Sequence, residues 1–540
     1  MTFKKRGARA GALVAAVALL AAACGSDDDG DDTPADAPDD APAEVEAGGE
    51  FSIYLCEPQF LVPGNSTEVC GSAVLEQLFS GLTAVDYDTG EAYGLIATDW
   101  ETDDNITWTF NLRDDFTFHN GDPVTAQSFV DTWNWAADPD NAQQNASFYD
   151  KFVGYEDVIN GDADTMEGVR AIDDTTLEIE MTVPFSPLPV MLSYTGFYPI
   201  PDEAFDDIQA FQEAPIGNGR YEMDGVWEHD VEIAMTRYED WPADNPGVAD
   251  RIVWRIYDDI NTAYLDVQAG NLDILTGIPP EREATVETDF GDNLLRAESS
   301  SFTYMGFPLY QEEFQDPDIR HAMSMAIDRQ PIIDAIFSGA RVPATAVIPP
   351  VLPQHRADAC NYCEFDPETA ADMYEAAGGP TELTIYFNSG AGHEDWTEAV
   401  ANQWQQNLGV TDVTFESLEF AQYLDLHDDN EISGPFRLGW VLSYPSPQYS
   451  MEPIYTTGQS SNYTGYSNEE FDSLIAEGNG AETPEEADAL YQQAEDILLE
   501  DLPVIPMWYE TRTSVFTDRV SNVDVDPRTF TRVEQVQVNE

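Results

Sequence analysis

The histidines are the side chains of this 540-residue chain best suited to hold a metal ion. No two of them lie within four residues of each other, which a compact metal site on one helix would need. The zinc motif HExxH is also incomplete, since His393 and Glu394 are followed by Asp395, Trp396 and Thr397. We therefore predict neither a metal nor a cofactor. The six histidines are His119, His229, His321, His355, His393 and His427.

Motifs of common enzymes are missing as well. The sequence contains no GxSxG nucleophile elbow and no Walker phosphate loop, and GNGRYE at Gly217–Glu222 fails GxGxxG at its last position. Carboxylate pairs carry no weight, because 103 acidic residues guarantee such pairs by chance. We predict that the protein is not an enzyme, with a secreted hydrolase as the alternative.

The charge balance is strongly acidic. Asp and Glu number 103 against 22 Lys and Arg, which gives a formal net charge of -81. Such a surface repels phosphate, so we exclude binding to nucleic acid and to anionic lipid through a basic patch. Self-repulsion of this size destabilises a compact state unless ions screen it, which suggests a protein of a salty medium. A merely acidic secreted protein is the alternative.

The first fifty residues indicate export. Basic residues precede an apolar stretch from Ala10 to Ala23, and Cys24 follows at once. This segment resembles a bacterial lipoprotein signal peptide (1–23), in which the cysteine is lipidated and anchors the protein to the outer face of the cytoplasmic membrane. An ordinary cleaved signal is the alternative. Residues 24–50 carry many acids and prolines, and we predict a disordered tether.

Four cysteines follow Cys24, and four allow three pairings. Export implies an oxidising environment, and proximity favours Cys56 with Cys70 and Cys360 with Cys363. The CxxC of the second pair also occurs in redox and metal sites. However, it lies in a turn-rich stretch, and no second CxxC supports zinc. We expect two local disulfides.

Helical and strand patterns intermingle along the chain, which predicts an α/β architecture. Thr107–Leu112 and Thr176–Met181 alternate with the period of half-buried strands. Helical spacing is found in five stretches. These are 125–135 with Thr125 as a cap, 318–337 with a break or a new first turn at Pro331, 367–377 with 396–408, and 483–499 with Thr483 as a cap.

Several of these segments, in this order, resemble the family 5 solute-binding proteins of ABC importers. The similarity includes NLRDDFTFHNGDPVTAQSFVDTWNW (111–135), APIGNGRYEM (214–223), DPDIRHAMSMAIDR (316–329), FDPETAADMYEAAG (365–378) and YTGYSNEEFDSLI (463–475). It extends from about residue 50 to about residue 522. One such match is weak evidence, but their order over most of the chain is specific.

The resemblance implies a three-lobed periplasmic-binding-protein-like fold of class II, with two main lobes, an extra lobe and a hinge, within a solute-binding domain 51–540. Strands near 303–307 and 504–509 would form the hinge. Lobe I would comprise 51–90, 215–300 and 501–540, lobe II 91–214, and lobe III 301–500.

In peptide-binding relatives an aspartate holds the ligand's amino terminus, and the corresponding residue here is Ser443. A hydroxyl bonds an ammonium group less strongly than a carboxylate does. Either another carboxylate replaces it or the ligand has no free amino terminus. The candidate carboxylates are Glu57, Glu68 and Glu452, and the predicted ligand contacts are Val69, Trp440, Ser443, Tyr444, Trp508 and Tyr509. Aromatic packing in the hinge is the alternative for each ring, including Tyr449.

The implied function is capture of oligopeptides or dipeptides by hinge closure and delivery to a membrane permease with separate ATPase subunits. An oligosaccharide or another polar solute is the alternative ligand, and nickel or haem has little support among the histidines. We expect a monomer anchored to the membrane through lipidated Cys24, without nucleic-acid partners.

Overall fold

The computed structural model describes residues 48–87, 89–389 and 392–539. The predicted signal peptide, Cys24 and nearly all of the predicted tether lie outside these residues. The first strand begins at Glu50, the last residue assigned to the tether from sequence, so the folded part starts slightly earlier than predicted. In the described part of the chain, no helix is both long and apolar enough to cross a membrane.

Strands and helices alternate, which confirms the α/β class. The strands are β1 Glu50–Leu55, β2 Thr83–Val85, β3 Ala92–Gly94, β4 Ala97–Glu101, β5 Thr107–Leu112, β6 Val169–Asp173, β7 Thr176–Glu180, β8 Tyr221–Met223, β9 Glu232–Arg237, β10 Arg251–Ile256, β11 Ile274–Thr276, β12 Leu294–Gly306, β13 Arg341–Pro343, β14 Glu382–Asn388, β15 Asp412–Leu418, β16 Phe436–Trp440, β17 Val504–Phe516, β18 Val520–Ser521 and β19 Gln537–Val538. The helices are α1 Val69–Leu78, α2 Ala126–Ala137, α3 Tyr155–Ile159, α4 Leu188–Met191, α5 Ile208–Phe211, α6 Ile260–Ala269, α7 Val286–Phe290, α8 Pro317–Met325, α9 Arg329–Ile336, α10 Pro367–Ala377, α11 Glu394–Leu408, α12 Phe420–Asp428, α13 Glu452–Tyr455, α14 Glu469–Asn479 and α15 Pro484–Asp501.

One large mixed sheet organises the molecule. Its eleven strands run in the order β15-β14-β16-β12-β17-β11-β1-β10-β9-β8, and β13 pairs with β17. The two longest strands, β12 and β17, lie next to each other near its middle and pair antiparallel. Strands from the N-terminal and central parts of the chain lie on one side of this pair, and strands from 382–440 lie on the other. The sheet therefore has two halves that share β12 and β17.

A second, four-stranded antiparallel sheet has the order β4-β5-β7-β6. Its strand β5 has the predicted bounds, and its residues alternate between half-buried and buried, as the period of two requires. Strand β7 ends one residue earlier than predicted, at Glu180. Helix α2 packs against this sheet through Phe129 and Trp133, which join the same core as Phe110 and Leu177.

The two predicted helix caps are confirmed, whereas the helix predicted from 396 begins two residues earlier, at Glu394. Thr125 precedes α2 in a reciprocal capping box with Ser128, and Thr483 Oγ1 accepts a hydrogen bond from Glu486 N at the start of α15. The helical stretch 318–337 divides into α8 and α9, and Pro331 lies in the first turn of α9. That position tolerates proline because its N–H has no partner within the helix.

Buried residues form separate cores that follow the sheets. One core draws mainly on 82–197 and surrounds the four-stranded sheet. A second draws on 51–79, 198–274 and 520–536 and lies under the N-terminal half of the large sheet. Two further cores use residues between 302 and 509. The cores are therefore built from discontinuous stretches of sequence.

Candidate functional site

The shared strands β12 and β17 change register at their midpoint. Glu298 pairs with Thr511 and Phe302 pairs with Tyr509, so Ser299, Ser300 and Ser301 lie opposite Glu510 alone. Such an irregularity interrupts the ladder and bends the strand. The two halves of the large sheet therefore meet at a point where the ladder between β12 and β17 is weakest.

Strand β16 ends beside this irregularity and has an open edge. It pairs with β12 as far as Trp440, but β14 meets it at the single pair Tyr386 and Phe436. At Arg437 the carbonyl accepts a hydrogen bond from the Tyr423 hydroxyl at 2.7 Å, and from Leu438 to Trp440 the edge has no second strand partner among the described residues. Val441, which follows, is 55% exposed, and its N–H has no hydrogen-bond partner in the described part of the chain. This edge offers unpaired backbone groups to an extended ligand.

Val69 marks the other side of the site, at the first residue of α1. It is 50% exposed, although it is apolar. The Glu68 carboxylate caps the helix by accepting hydrogen bonds from Cys70 N at 2.6 Å and Gly71 N at 2.7 Å. A disulfide joins Cys70 to Cys56, with Cα atoms 5.7 Å apart. The backbone at Val69 is therefore held from both sides while its side chain faces open space.

Hydrogen bonds through the strand irregularity connect the residue after Val441 to the segment that lines a cavity with Val69. Leu442 N donates to Ser300 Oγ at 3.3 Å, and Ser300 N donates to Pro527 O at 2.7 Å. The chain after Pro527 lines a cavity together with Val69 and Arg512. Val69, Ser300 and Val441 thus lie along one continuous stretch of contacts that crosses the middle of the large sheet.

Ser443 faces a neutral, aromatic environment. Its Oγ lies 3.2 Å from the Tyr449 hydroxyl, and the ring of Tyr449 packs 4.4 Å from that of Tyr444 and 6.2 Å from that of Phe148. The Trp440 indole donates to Tyr449 O at 2.8 Å. Nothing in this arrangement replaces the negative charge of an aspartate at position 443.

The three carboxylates considered as replacements each have other partners. Glu57 lies 2.7 Å from His229 Nδ1, and Glu68 caps α1. Glu452 is connected by hydrogen bonds to Tyr444, the residue after Ser443: the Tyr444 hydroxyl donates to Gln448, and the Gln448 amide donates to Glu452. However, Glu452 is paired with Lys151 at 3.1 Å. The structure therefore offers no carboxylate free for a ligand's amino terminus among these three.

Three of the predicted ring contacts are core residues in the structure. Trp508 is 1% exposed and packs edge-on against Trp396 and Phe337. Tyr509 is buried on the other face of β17, where its hydroxyl donates to Ala346 O at 2.7 Å. Tyr444 is buried as well. Burial of the three rings does not support their contact with a ligand, and at Trp508 and Tyr509 both faces of β17 are covered. Trp440 is half-buried and remains a predicted contact.

Sequence reasoning missed two residues of the site. Val441 adjoins the predicted Trp440, and its exposure as an isolated apolar residue was not visible in the alternating pattern. Arg512 lies in a strand whose pattern gives no sign that it lines a cavity. Its position next to Val69 arises only from the pairing of β1, β11 and β17.

Potential metal ligands come together at one place in the described residues, where Cys56, Glu68 and Cys70 lie within 4.8 Å of one another. Both sulfurs belong to the disulfide and the carboxylate caps α1, so this group has no ligand free for a metal in the oxidised protein. Cys360 and Cys363 likewise form a disulfide, with Cα atoms 5.5 Å apart.

Comparison with known proteins identifies the family to which the sequence is similar. The model for bacterial extracellular solute-binding proteins, family 5, matches residues 91–462. The Bacillus subtilis oligopeptide-binding protein OppA is 28% identical over 493 residues, which cover 86% of this chain and 88% of that protein. The Escherichia coli periplasmic murein peptide-binding protein MppA is 27% identical over 474 residues, covering 84% and 86% of the two chains.

Solved structures of the same fold cover nearly the whole chain. The unliganded open form of the murein tripeptide-binding protein MppA has a TM-score of 0.80 at 24% identity and covers 92% of this chain and 98% of its own. Haemophilus influenzae OppA in complex with RPPGFSPFR has a TM-score of 0.72 at 25% identity, with 92% and 100% covered. Since the family model also spans well over half of the sequence, the chain belongs to the bacterial extracellular solute-binding proteins of family 5.

Proposed function

We propose that this protein captures peptides outside the cytoplasm and delivers them to an ABC importer. The observation that carries the proposal is the open edge of β16, which ends at the exposed Val441 across the strand irregularity from the exposed Val69. An extended peptide adds to such an edge through main-chain hydrogen bonds, which do not depend on the identity of the peptide's side chains. The names of the relatives, oligopeptide-binding and murein peptide-binding proteins, support the same ligand class.

Closure of the lobes would hold the ligand. We assign lobe I to 51–90, 215–300 and 501–540, lobe II to 91–214, and lobe III to 301–500. The separate cores around 82–197 and within 302–509 support this division, although residues 198–211 pack with the core of lobe I. The register change in β12 and β17 supports a hinge at this point, since few ladder bonds must be distorted when the halves rotate.

Partners and location follow from the same role. A membrane permease would recognise the closed form, and separate ATPase subunits would supply the energy. Attachment through a lipid on Cys24 would keep the monomeric protein at the outer face of the membrane, with residues 25–49 as a spacer. Metabolic labelling with a fatty-acid analogue, compared between the natural sequence and Cys24→Ala, tests the anchor, and equal labelling of the two proteins contradicts it.

The ligand is identified from what the purified protein carries. We would purify the chain from Glu44 onward, confirm the complex by native mass spectrometry, and identify the molecules released by denaturation. Peptides of mixed sequence and similar length are the expected result, because main-chain recognition selects length over sequence. A sugar, a bile salt or a metal chelate in their place would contradict peptide binding and leave solute binding intact.

A pair of variants tests the β16 edge. Val441→Pro removes the backbone N–H, whereas Val441→Ala keeps it and removes only the exposed methyl groups. We expect Val441→Pro to weaken binding of the recovered peptides about tenfold or more, as loss of one main-chain bond at a desolvated site requires. Val441→Ala should stay within about threefold of the natural protein. Equal binding by both variants would contradict pairing at this edge.

A further inference from the structure

A small cavity beside Val69 differs in charge from the rest of the molecule. It has a volume of about 190 Å³ and is lined by parts of β1, α1, β10 and the loop at Thr529–Thr531. Most of its lining is apolar, and Arg512 is its one charged side chain. No Asp or Glu lines it, although the chain has 103 of them. The local charge is therefore positive within a strongly negative protein.

Arg512 has little to neutralise it. Among the described residues no carboxylate oxygen lies within 4.0 Å of its guanidinium nitrogens, and its hydrogen bond is from Nη2 to Thr529 Oγ1 at 3.4 Å. Glu510 attracts it from further away but lies 3.6 Å from Arg341. Burial lowers the pKa of Arg512, and Glu510 opposes that shift. A planar guanidinium without a counterion at a cavity wall is suited to a carboxylate.

A glycine in the neighbouring backbone leaves room for the Arg512 side chain. Gly277 has φ +82°, and a Cβ at that position would lie 2.8 Å from Arg512 Nη1. The guanidinium therefore packs directly against the main chain at Gly277, which fixes its position along the cavity wall. A fixed donor loses less entropy when it binds an anion than a mobile side chain does.

Trp254, which carries a second hydrogen-bond donor, lines the same cavity. Trp254 is 3% exposed, and its indole Nε1 is buried without a hydrogen-bond partner in the described part of the chain. A buried donor left unpaired costs stability unless a ligand or water accepts from it. Both the charged group and the unpaired polar group of this cavity thus call for an acceptor.

We propose that this cavity, the Arg512 subsite, binds a carboxylate of the peptide ligand, from an acidic side chain or from the carboxyl terminus. The inference rests on the proposed function and narrows its ligand to peptides with an acidic group next to Val69. It also accounts for Ser443, because a ligand anchored by its carboxylate at Arg512 does not need an aspartate at that position to hold its amino terminus.

The test uses tetra-alanine and its four variants with one aspartate, each compared with the matching asparagine peptide. Every peptide is made with a free and with an amidated carboxyl terminus. We expect about tenfold tighter binding of the charged form at one position, by isothermal titration calorimetry at constant salt. Preference for aspartate at one position indicates a side chain, and preference for the free terminus in all peptides indicates the carboxyl terminus.

Arg512→Gln should remove this preference, while Arg512→Lys should retain part of it. Trp254→Phe, which removes the indole N–H, should reduce the preference. Trp227→Phe is the matched control, since Trp227 Nε1 is also buried and unpaired but does not line this cavity. Melting curves confirm that each variant is folded.

Two results would overturn the proposal. One is a natural protein that binds charged and neutral peptides equally, and the other is an unchanged preference in Arg512→Gln. Either leaves peptide binding intact, since the peptides still bind. If none of the peptides binds, the proposed function itself is contradicted, and the assignment of this subsite to a peptide carboxylate is contradicted with it.

Discussion

Lys151 and Glu452 form a largely buried ion pair, with Nζ and Oε1 3.1 Å apart. Lys151 is the sole lysine of the sequence beyond position 5. It lies in the segment whose core surrounds the four-stranded sheet, whereas Glu452 begins α13, some 300 positions later. Glu452 also accepts hydrogen bonds from Gln448 Nε2 at 2.6 Å and Asn479 Nδ2 at 2.9 Å. The pair thus fastens two distant segments together beside Tyr444.

Lys151→Met is expected to destabilise the protein by about 3 kcal/mol, because it leaves the Glu452 carboxylate without its cation in a largely buried position. The measurement is the urea dependence of unfolding at pH 7. The double variant Lys151→Met, Glu452→Gln removes both charges and should recover at least half of the loss. A single variant as stable as the natural protein would show that the pair contributes nothing.

The pair should also weaken at alkaline pH. Burial lowers the pKa of Lys151, but the attraction of Glu452 and Asp150 outweighs burial and raises it above 10.5. A raised pKa in the folded state means that the stabilisation is complete below pH 10.5 and is lost as the pH rises through the higher folded value. The difference in stability between the natural protein and Lys151→Met should therefore be constant from pH 7 to 9.

His427 is expected to make the protein sensitive to acid. It is 2% exposed, neither ring nitrogen has a partner in the described residues, and burial lowers its pKa to about 4. Between pH 6.5 and 4 this histidine is protonated in the unfolded chain but stays neutral in the folded protein. The free energy of unfolding should therefore fall by about 3 kcal/mol as the pH decreases across this window.

His427→Phe should flatten this part of the pH profile. The ring lies among Tyr423, Phe436 and Tyr463, so phenylalanine keeps the aromatic packing. Effects of the many carboxylates are common to both proteins and cancel in the difference. The measurement is the free energy of unfolding at pH 4.5 and at pH 8, and parallel profiles for the two proteins would contradict the prediction.

Loss of the Cys56–Cys70 disulfide should weaken ligand binding, because this bond holds the backbone next to Val69. The double variant Cys56→Ser, Cys70→Ser is expected to lose about 3 kcal/mol of stability, as a closed loop of this length implies, and to bind peptides about tenfold more weakly. Cys360→Ser, Cys363→Ser is the control, with a shorter loop and a loss of about 2 kcal/mol. Equal peptide affinity in the two double variants would show that the Cys56–Cys70 disulfide does not support the binding site.

Salt should stabilise the protein. The net charge is -81, so the acidic groups repel one another. Raising KCl from 0.01 M to 1 M shortens the screening length from about 30 Å to about 3 Å. We expect the unfolding temperature to rise by about 5 °C or more over this range and to level off beyond it, since screening is then nearly complete. A temperature that does not change between these concentrations would refute the hypothesis of a salt-adapted protein.

Local features could be predicted from the sequence because they depend on residues close to one another along the chain. The alternation of Thr107–Leu112 fixes a strand, and the side chains of Thr125 and Thr483 cap helices a few residues away. Pairing of Cys360 with Cys363 follows from their spacing. The order of the motifs also led to the family, since it is a property of the sequence itself.

The contents of the site were decided by tertiary structure. Strand periodicity cannot tell which face of β17 is covered, and in the structure both are, so Trp508 and Tyr509 became core residues. The open edge of β16 exists because β14 diverges after one residue pair, which only the packing of the two strands determines. Arg512 meets Val69, and Lys151 meets Glu452, through contacts between segments hundreds of residues apart. Such contacts depend on chain closure over long loops, and no local pattern in the sequence encodes them.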